Sequence, residues 1–400
     1  MMTTANTPDP ATGEATLTVS PHFSDMPEAD WATLAGASRA DPAVAYNPFL
    51  SHAFLSSVEE SGCATRDSGW LGQHLWLRAA DGTLLGAVPC YLKSHSQGEY
   101  VFDHGWADAF QRAGGRYYPK LQASVPFTPA RGPRLLARSG VDSTAVRQVL
   151  AEGLKTLTER LDVSSAHVTF AMDQDIEALK EAGFLMRIDQ QFHFFNRGYG
   201  SYDDFLATLA SRKRKALKKE RRAALENGIT VDWLTGRDLT EAVWDDFFAF
   251  YTDTGSRKWG RPYLNRRFFS LIGERMADDV LLVMARRNGR YVAGAINFIG
   301  SDTLYGRNWG CIEHHPFLHF EICYHQAIEF AIRHGLSTVE AGAQGEHKLA
   351  RGYEPVITRS AHHIPHPGLR RAVAQYLDME RQDVAEIAGV LSAHTPFRKG

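Results

Sequence analysis

One order of secondary-structure elements occurs twice in this sequence, and that repetition constrains the fold more than any single motif. In HLWLRAADGTLLGAVPCYLK (74–93), Asp81-Gly82 separates two apolar-rich runs, and in VLLVMARRNGRYVAGAINFIG (280–300) Asn288-Gly289 does the same. Such a dipeptide between alternating hydrophobics predicts a hairpin, because a type I′ turn needs positive φ at both central residues. After the first hairpin the pattern predicts a strand near Glu99–His104, a long loop, and a helix over Ser143–Arg160. A strand His167–Met172, a short helix Asp175–Glu181 and a strand Phe184–Phe195 follow. After the second hairpin it predicts a strand Thr303–Trp309, a helix Phe320–His334, a strand Ser337–Ala341, a short helical stretch Glu346–Arg351 and a strand Pro355–His363. Both halves read β-β-β-α-β-α-β, a repetition of order rather than of letters.

A chain of 400 residues exceeds one compact core and predicts two domains. Residues 1–20, rich in Thr, Ala and Pro, are read as a disordered leader, 21–198 as the first lobe, 199–385 as the second, and 386–400 as a tail. An α-rich connector opens the second lobe: helices over Tyr202–Asn227 ending at Gly228, a strand Ile229–Leu234, and helices Leu239–Asp253 and Asn265–Ala277. A net charge of -2 leaves no global attraction to polyanions, so any basic surface is local. The four cysteines (Cys63, Cys90, Cys311, Cys323) form no C-x-x-C pair, which fits a reducing compartment. With no secretory signal and no run long enough to span a bilayer, the expected location is the cytoplasm.

Four segments can carry chemistry. In GAQGEHKLARGYEP (342–355) two glycines at a strand exit permit close backbone approach to a ligand, and Gln344, Glu346, His347, Lys348 and Arg351 follow within one or two helical turns. Amide formation requires a neutral amine and a stabilised oxyanion, so Glu346 or His347 serves as base and Lys348 and Arg351 as cations. LYGRNWGCIEHHPFLHFEICYHQ delivers a strand into a helix N-terminus, a seat for a pyrophosphate; Arg307, Trp309, His319, Glu321 and Tyr324 would line it. SRKRKALKKERR (211–222) has eight Lys or Arg and one acid, either a grip on RNA, anionic lipid or a phosphorylated substrate, or a solvated face. Arg212 and Arg214 are its candidate contacts. The aromatic loop with Asp103, His104, Trp106, Arg116, Tyr117, Tyr118 and Lys120 reads as a substrate wall or a structural pad. Glu313, His314, His315, His319, His362, His363 and His366 lack an H-E-x-x-H spacing and read as surface or capping residues, so no metal is expected.

RYYPKLQASVPFTPARGPRLL (116–136), RNWGC (307–311), FLHFEICYHQAIEFAIRHGL (317–336) and EAGAQGEHKLARGYEPV (340–356) resemble the FemAB-like branch of predicted N-acyltransferases of the GNAT superfamily, labelled peptidoglycan biosynthesis/recognition. The resemblance covers residues 45–385. It implies an α/β (α+β) fold of tandem GNAT-like lobes, each a mixed sheet flanked by helices. It also implies transfer of an acyl group from a thioester, acyl-CoA as co-substrate, to the amine of a small molecule or cell-wall precursor. Lys348 matches the basic residue such proteins carry in this region, and the Arg-rich helix 211–222 matches one that opens their second lobe. Gly352-Tyr353 resembles the Gly-Phe pair of GNAT enzymes, whereas their Q/R-x-x-G-x-G/A signature and tyrosine acid have no counterpart, and Glu321 would repel a phosphate. Two alternatives stand beside this expectation: an aminoacyl-tRNA-dependent transferase of the FemABX type, and a non-catalytic recognition protein.

Overall fold

The computed structural model describes residues 5–9, 13–40, 44–259, 262–342, 345–393 and 396–397. The chain divides into two units, one of Met1–Asp189 with Thr358–Ala385 and the other of Gln190–Ile357 with Glu386–Gly400. The expected boundary at 198 therefore lies inside the second unit, and residues 358–385, assigned to the second lobe, belong to the first.

In the first unit, strands β1 (Ala5–Asp9), β2 (Gly13–Ser20), β4 (His74–Ala79), β5 (Leu84–Val88) and β8 (Leu136–Ala137) are successive neighbours in one sheet. A second sheet holds β3 (Trp70–Gly72), β6 (Cys90–Lys93), β7 (Lys120–Ala123), β9 (Ala166–Ala171) and the end of β16 (Glu354–His363). Residues 13–20, read as leader, are thus a strand, of which 15–20 pair with β4 from end to end. The strand expected at Glu99–His104 is replaced by loop and by helix α3 (His104–Arg112). The third strand is β7, beyond a loop whose buried polar residues leave no apolar alternation. At the first hairpin Gly82 has φ 87 but Asp81 is not left-handed, and Ala79 N–H bonds Thr83 O at 2.9 Å. This is a longer loop with a glycine bulge rather than a type I′ turn. Asn288 (φ 51) and Gly289 (φ 81) do form the expected one. Pro89, which has no N–H to give a ladder, stands between β5 and β6, where the chain changes sheets.

Helix α4 (Ser143–Arg160), capped by Asp142 accepting from the N–H groups of Thr144 and Ala145, buries Val146, Leu150, Leu154 and Leu157 at helical spacing. They pack into a cluster with Leu75, Leu85, Leu121 and Val168, each buried side chain contributing about 1.5–3 kcal/mol. Because strand side chains alternate, the other face of the second sheet receives Tyr91, Lys93, Lys120, Gln122, His167, Thr169, Ser360 and His362, all buried.

The second unit orders β11 (Thr230–Leu234), β12 (Val280–Arg287), β13 (Arg290–Ile299), β14 (Thr303–Cys311), β15 (Thr338–Glu340) and β10 (Leu185–Phe195). The last strand of each repeat completes the other unit: β10 residues 193–195 pair with β15, and β16 residues 359–363 pair with β9. One sheet face packs α6 (Tyr202–Thr208), α7 (Ser211–Ala224) and a helix running from α10 (Leu318–Phe320) through a π-helical turn (Glu321–His325) into α11 (Gln326–Arg333). On the other side α8 (Glu241–Trp259) approaches β14 so closely that a Cβ on Gly310 would lie 2.0 Å from Phe250 O, which only glycine permits. Helix α9 (Arg266–Arg275), capped by Asn265, stacks Phe269 on Trp244. The tail is anchored, with Ala210 N–H bonding Pro396 O at 3.0 Å. Among the described residues no helix is long and apolar enough to cross a membrane.

Candidate active site

The site begins where two parallel strands part. β14 and β15 pair from Thr303↔Thr338 to Tyr305↔Glu340, where β15 ends while β14 runs on to Cys311. Just past that point the register between β13 and β14 slips, from Asn297↔Gly306 to Ala295↔Trp309, leaving an extra β14 residue. Such a bulge disrupts the ladder and re-aims side chains, and bulges are over-represented beside active sites. Arg307 and Trp309 stand there, half-buried.

Around this gap the structure gathers most of the predicted residues of the second lobe. The Trp309 ring lies 5.2 Å from His319, and His319 lies 5.6 Å from Tyr324. Tyr324 Oη is 3.0 Å from His347 Nε2. Burial raises the Tyr324 phenol, while burial followed by the charges of Arg351 and Lys348 lowers His347, which favours the neutral ring. The Arg351 guanidinium sits 3.5 Å over Phe320 and donates to His347 O at 2.7 Å. Lys348, 2 % exposed, donates to Ala341 O (2.6 Å) and Gly342 O (3.0 Å), the first carbonyls beyond β15. Burial lowers its pKa to about 8, with no carboxylate among the causes. Two of three ammonium protons are taken by carbonyls, and among the described residues the third has no acceptor. Glu346 belongs to the same 3-10 segment, but its side chain and Gln344 lie outside the described residues.

Glu321 is placed differently from the donor-lining role given to it. It is 0 % exposed, accepts from Arg221 Nε (3.1 and 3.0 Å) and Nη2 (2.8 Å), and from Gln326 Nε2 at 2.7 Å. Its charge is spent on Arg221, so the repulsion of a phosphate expected from it does not arise. The π-helical turn explains the change: one extra residue per turn rotates Glu321 inward. Beside it Glu220, on α7, takes Arg351 (2.9 and 2.7 Å) and His325 Nε2 (2.8 Å), and His325 Nδ1 meets Tyr202 Oη at 2.6 Å. Sequence reasoning missed Glu220 and His325. The signal available was the one acid within the basic run.

Helix α7 separates its two faces. Leu217, Glu220, Arg221 and Ala224 turn inward, while Arg212, Lys213, Lys215, Lys218, Lys219 and Arg222 are exposed and Arg214 is half-buried. Among these outward cations Lys218 pairs with Asp203 at 2.8 Å. A cleft of about 540 Å³ follows between Tyr202, Asp203, Lys218, Arg221, Glu329 and Arg333.

The first-unit candidates form a closed network rather than an open wall. Lys120, fully buried, bonds Glu99 at 2.7 Å and Asp103, and Tyr117 donates to Asp103 at 2.7 Å. Tyr118, half-buried, meets Ser96 Oγ at 2.8 Å. His167 joins His362 through a 2.7 Å Nδ1–Nδ1 contact, which requires one ring to donate. His362 therefore lies in the interior, not at the surface. Burial lowers Lys93 to about 6, outweighing Glu99 and the Trp70 face 3.5 Å away, and raises Glu99 to about 7. At neutral pH the unfolded chain protonates Lys93 and the native chain does not, so this group opposes folding most near pH 6 and below and ceases to above 10.5. Lys93→Met is therefore expected to raise Tm by several degrees at pH 7, a gain that shrinks toward pH 10 in thermal melts.

The family described as peptidoglycan biosynthesis/recognition, FemAB-like, matches residues 22–399. No curated protein matches the sequence. Among solved structures, FemX aligns at 12% identity over 84% of this chain and 96% of its own, with a TM-score of 0.51. The C-terminal domain of a putative lysylphosphatidylglycerol synthetase from Agrobacterium fabrum aligns at 9% identity over 81% and 96%, with a TM-score of 0.50. A tandem GNAT protein from the clavulanic acid biosynthesis pathway aligns at 13% over 88% and 99%, with a TM-score of 0.45. At these identities the likeness concerns the fold.

Proposed function

The chain belongs to the FemAB-like family of tandem GNAT fold, and we propose that it transfers an aminoacyl group from an ester donor, aminoacyl-tRNA, to the amine of a cell-wall precursor. The observation that carries this reading is Lys348, a buried ammonium held on two loop carbonyls where β14 and β15 separate, with a proton left to meet a carbonyl oxygen. A cation there stabilises the oxyanion that forms when an amine attacks an ester, and Trp309, His319, Phe320 and Tyr324 supply flat walls for the acyl group. His347, bonded to Tyr324, and Arg351, tied to Glu220, shape the edge of the same site.

The donor is argued from α7. Its exposed cations suit a polyanion, and Glu220 and Arg221 on its inner face bond Arg351, His325 and Glu321 at the site. That a putative lysylphosphatidylglycerol synthetase shares this fold agrees with aminoacyl chemistry on it. Acyl-CoA is the second reading, supported by the parted strands and by the neutralisation of Glu321, which removes an obstacle to a pyrophosphate. No resident cofactor is part of the proposal, and the setting we propose is the cytoplasm, in keeping with four cysteines that form no disulfide.

The test is a thermal-shift and turnover comparison of charged total tRNA with acetyl- and longer acyl-CoAs, using a muropeptide with a free side-chain amine as acceptor. Stabilisation and transfer from charged tRNA support the proposal. Transfer from acyl-CoA alone replaces it with the second reading, and silence from every donor favours recognition without catalysis. Neutralising Arg212, Lys213, Lys215 and Lys219 together to Gln is expected to weaken tRNA binding uniformly across sequences. It should also flatten the log K against log salt slope by about 3, at roughly 0.7–0.9 per phosphate contact.

A further inference from the structure

An acyl transfer to an amine needs a proton acceptor as well as an oxyanion cation, and Lys348, Trp309 and Tyr324 all lie on the helical side of the sheet. Glu340 is the last residue of β15, at the point where the strands part. Its neighbours Val339 and Ala341 pack with the helical core, so alternation sends the Glu340 side chain to the opposite face. There it stands across the ladder from His193 of β10, with Nε2 3.9 Å from Oε1. His193, between Phe192 and Phe194 of the same core, is buried and lies 3.4 Å from Gln191 Oε1. Tyr305, the β14 partner of Glu340, is turned to that face too. Lys348 meanwhile holds the carbonyl of the very next residue, Ala341, from the helical side.

We infer that Glu340, positioned by His193, is the base that deprotonates the acceptor amine, so that donor and acceptor meet through the gap from opposite faces of the sheet. The assignment rests on the transferase reading of the preceding section. Glu340 takes one proton from the incoming ammonium and releases it to solvent; the neutral nitrogen then attacks the ester carbonyl and forms the C–N bond, while Lys348 donates to the oxygen that becomes negative. Glu340 then takes the second proton the nitrogen gives up. Collapse breaks the C–O bond, and the same proton passes to the departing hydroxyl, which regenerates the carboxylate with no other co-reactant. Among the groups that face Glu340 are His193 from β10 and Tyr305 from β14, with the Lys348 ammonium behind the strand.

The experiment compares Glu340→Gln and Glu340→Asp with wild-type protein, using charged total tRNA as donor and two acceptors, the muropeptide amine and hydroxylamine. A positioned base contributes about 10²–10⁴-fold. Glu340→Gln should therefore lose at least about 100-fold with the alkylamine at pH 7 and regain about tenfold per pH unit below the amine's pKa. With hydroxylamine, already neutral at pH 7, the loss should be within tenfold. His193→Gln should shift the pH profile by less and keep donor binding. Equal losses with both acceptors at every pH overturn the inference, because a structural role is blind to the acceptor's pKa, as does an unchanged alkylamine rate. If the glutamine variant melts at the assay temperature, Glu340→Asp keeps the charge but withdraws it by one methylene. The same acceptor dependence is then expected at smaller amplitude, and its absence is equally decisive. Wild-type protein that transfers nothing from tRNA to either acceptor removes the underlying transferase reading instead, so the two failures are distinct.

Discussion

Lys348→Met is expected to abolish most transfer, by about 10²–10³-fold in kcat, while donor binding changes little. The magnitude is that of one oxyanion donor removed from a preorganised site. Methionine keeps the apolar stem and loses the ammonium that bonds Ala341 O and Gly342 O. Two loop carbonyls then need water, costing about 1–3 kcal/mol of stability, and a melt separates this from chemistry. The pH dependence is sharper still. Lys348 must be charged to act, and burial has lowered it to about 8, so activity should fall as pH rises through 8, to about a tenth by pH 9 for a single titrating group. Stability moves the other way: the unfolded lysine holds its proton up to its ordinary 10.5 and the native one only to about 8, so this group's penalty on folding is full below 8 and vanishes by 10.5. Loss of rate above pH 8 with an unmoved or rising melting temperature is the expected signature. A rate flat to pH 9.5 would rule out a catalytic ammonium at this position.

Glu321→Ala is expected to be the most destabilising single change in the second unit, by about 3–5 kcal/mol. The carboxylate is fully buried and receives two nitrogens of Arg221 and the amide of Gln326. Attraction in a buried pair only offsets desolvation, but deleting one partner leaves the other charge without compensation, and that is what costs several kcal/mol. Arg221 keeps Glu329 at 2.8 Å and the Tyr202 face 4.3 Å away, which places the expected cost at the lower end. Removing both ends together, Arg221→Met with Glu321→Leu, should recover a good part of it. Denaturant titration reads the result, best through Trp233, which bonds Gln326 at 2.8 Å. If Glu321→Ala unfolds with the wild-type midpoint, the pair contributes nothing net.

Much of the fold was legible. Helix α4 spans the predicted Ser143–Arg160, the Asn288-Gly289 hairpin has its predicted turn, and the β-β-β-α-β-α-β order of the second half is present. The second-lobe candidates Trp309, His319, Tyr324, His347, Lys348 and Arg351 also come together, because a strand exit and a helix start recur next to each other in this order of elements. What sequence could not convey was direction. Glu321 reads as a first-turn acid of an ordinary helix, and the π-helical turn that swings it onto Arg221 leaves no mark in composition. Lys120, Tyr117 and Asp103 read equally as a substrate wall or a structural pad, and only the structure shows them sealed in a network of their own.

The sequence by itself determined the local choices, since turn chemistry, caps and hydrophobic period act over a few residues and need no partner. Only the tertiary structure decided which charges are buried in pairs and which face solvent. A basic run such as 211–222 has the same letters whether a residue faces solvent or Glu321, and burial, which sets the pKa of Lys348 and the pairing of Glu220, is a property of what packs against a residue from distant parts of the chain. The same holds for the exchange of β10 and β16 between the two units: a strand's pattern states that it needs neighbours, and the fold alone states which.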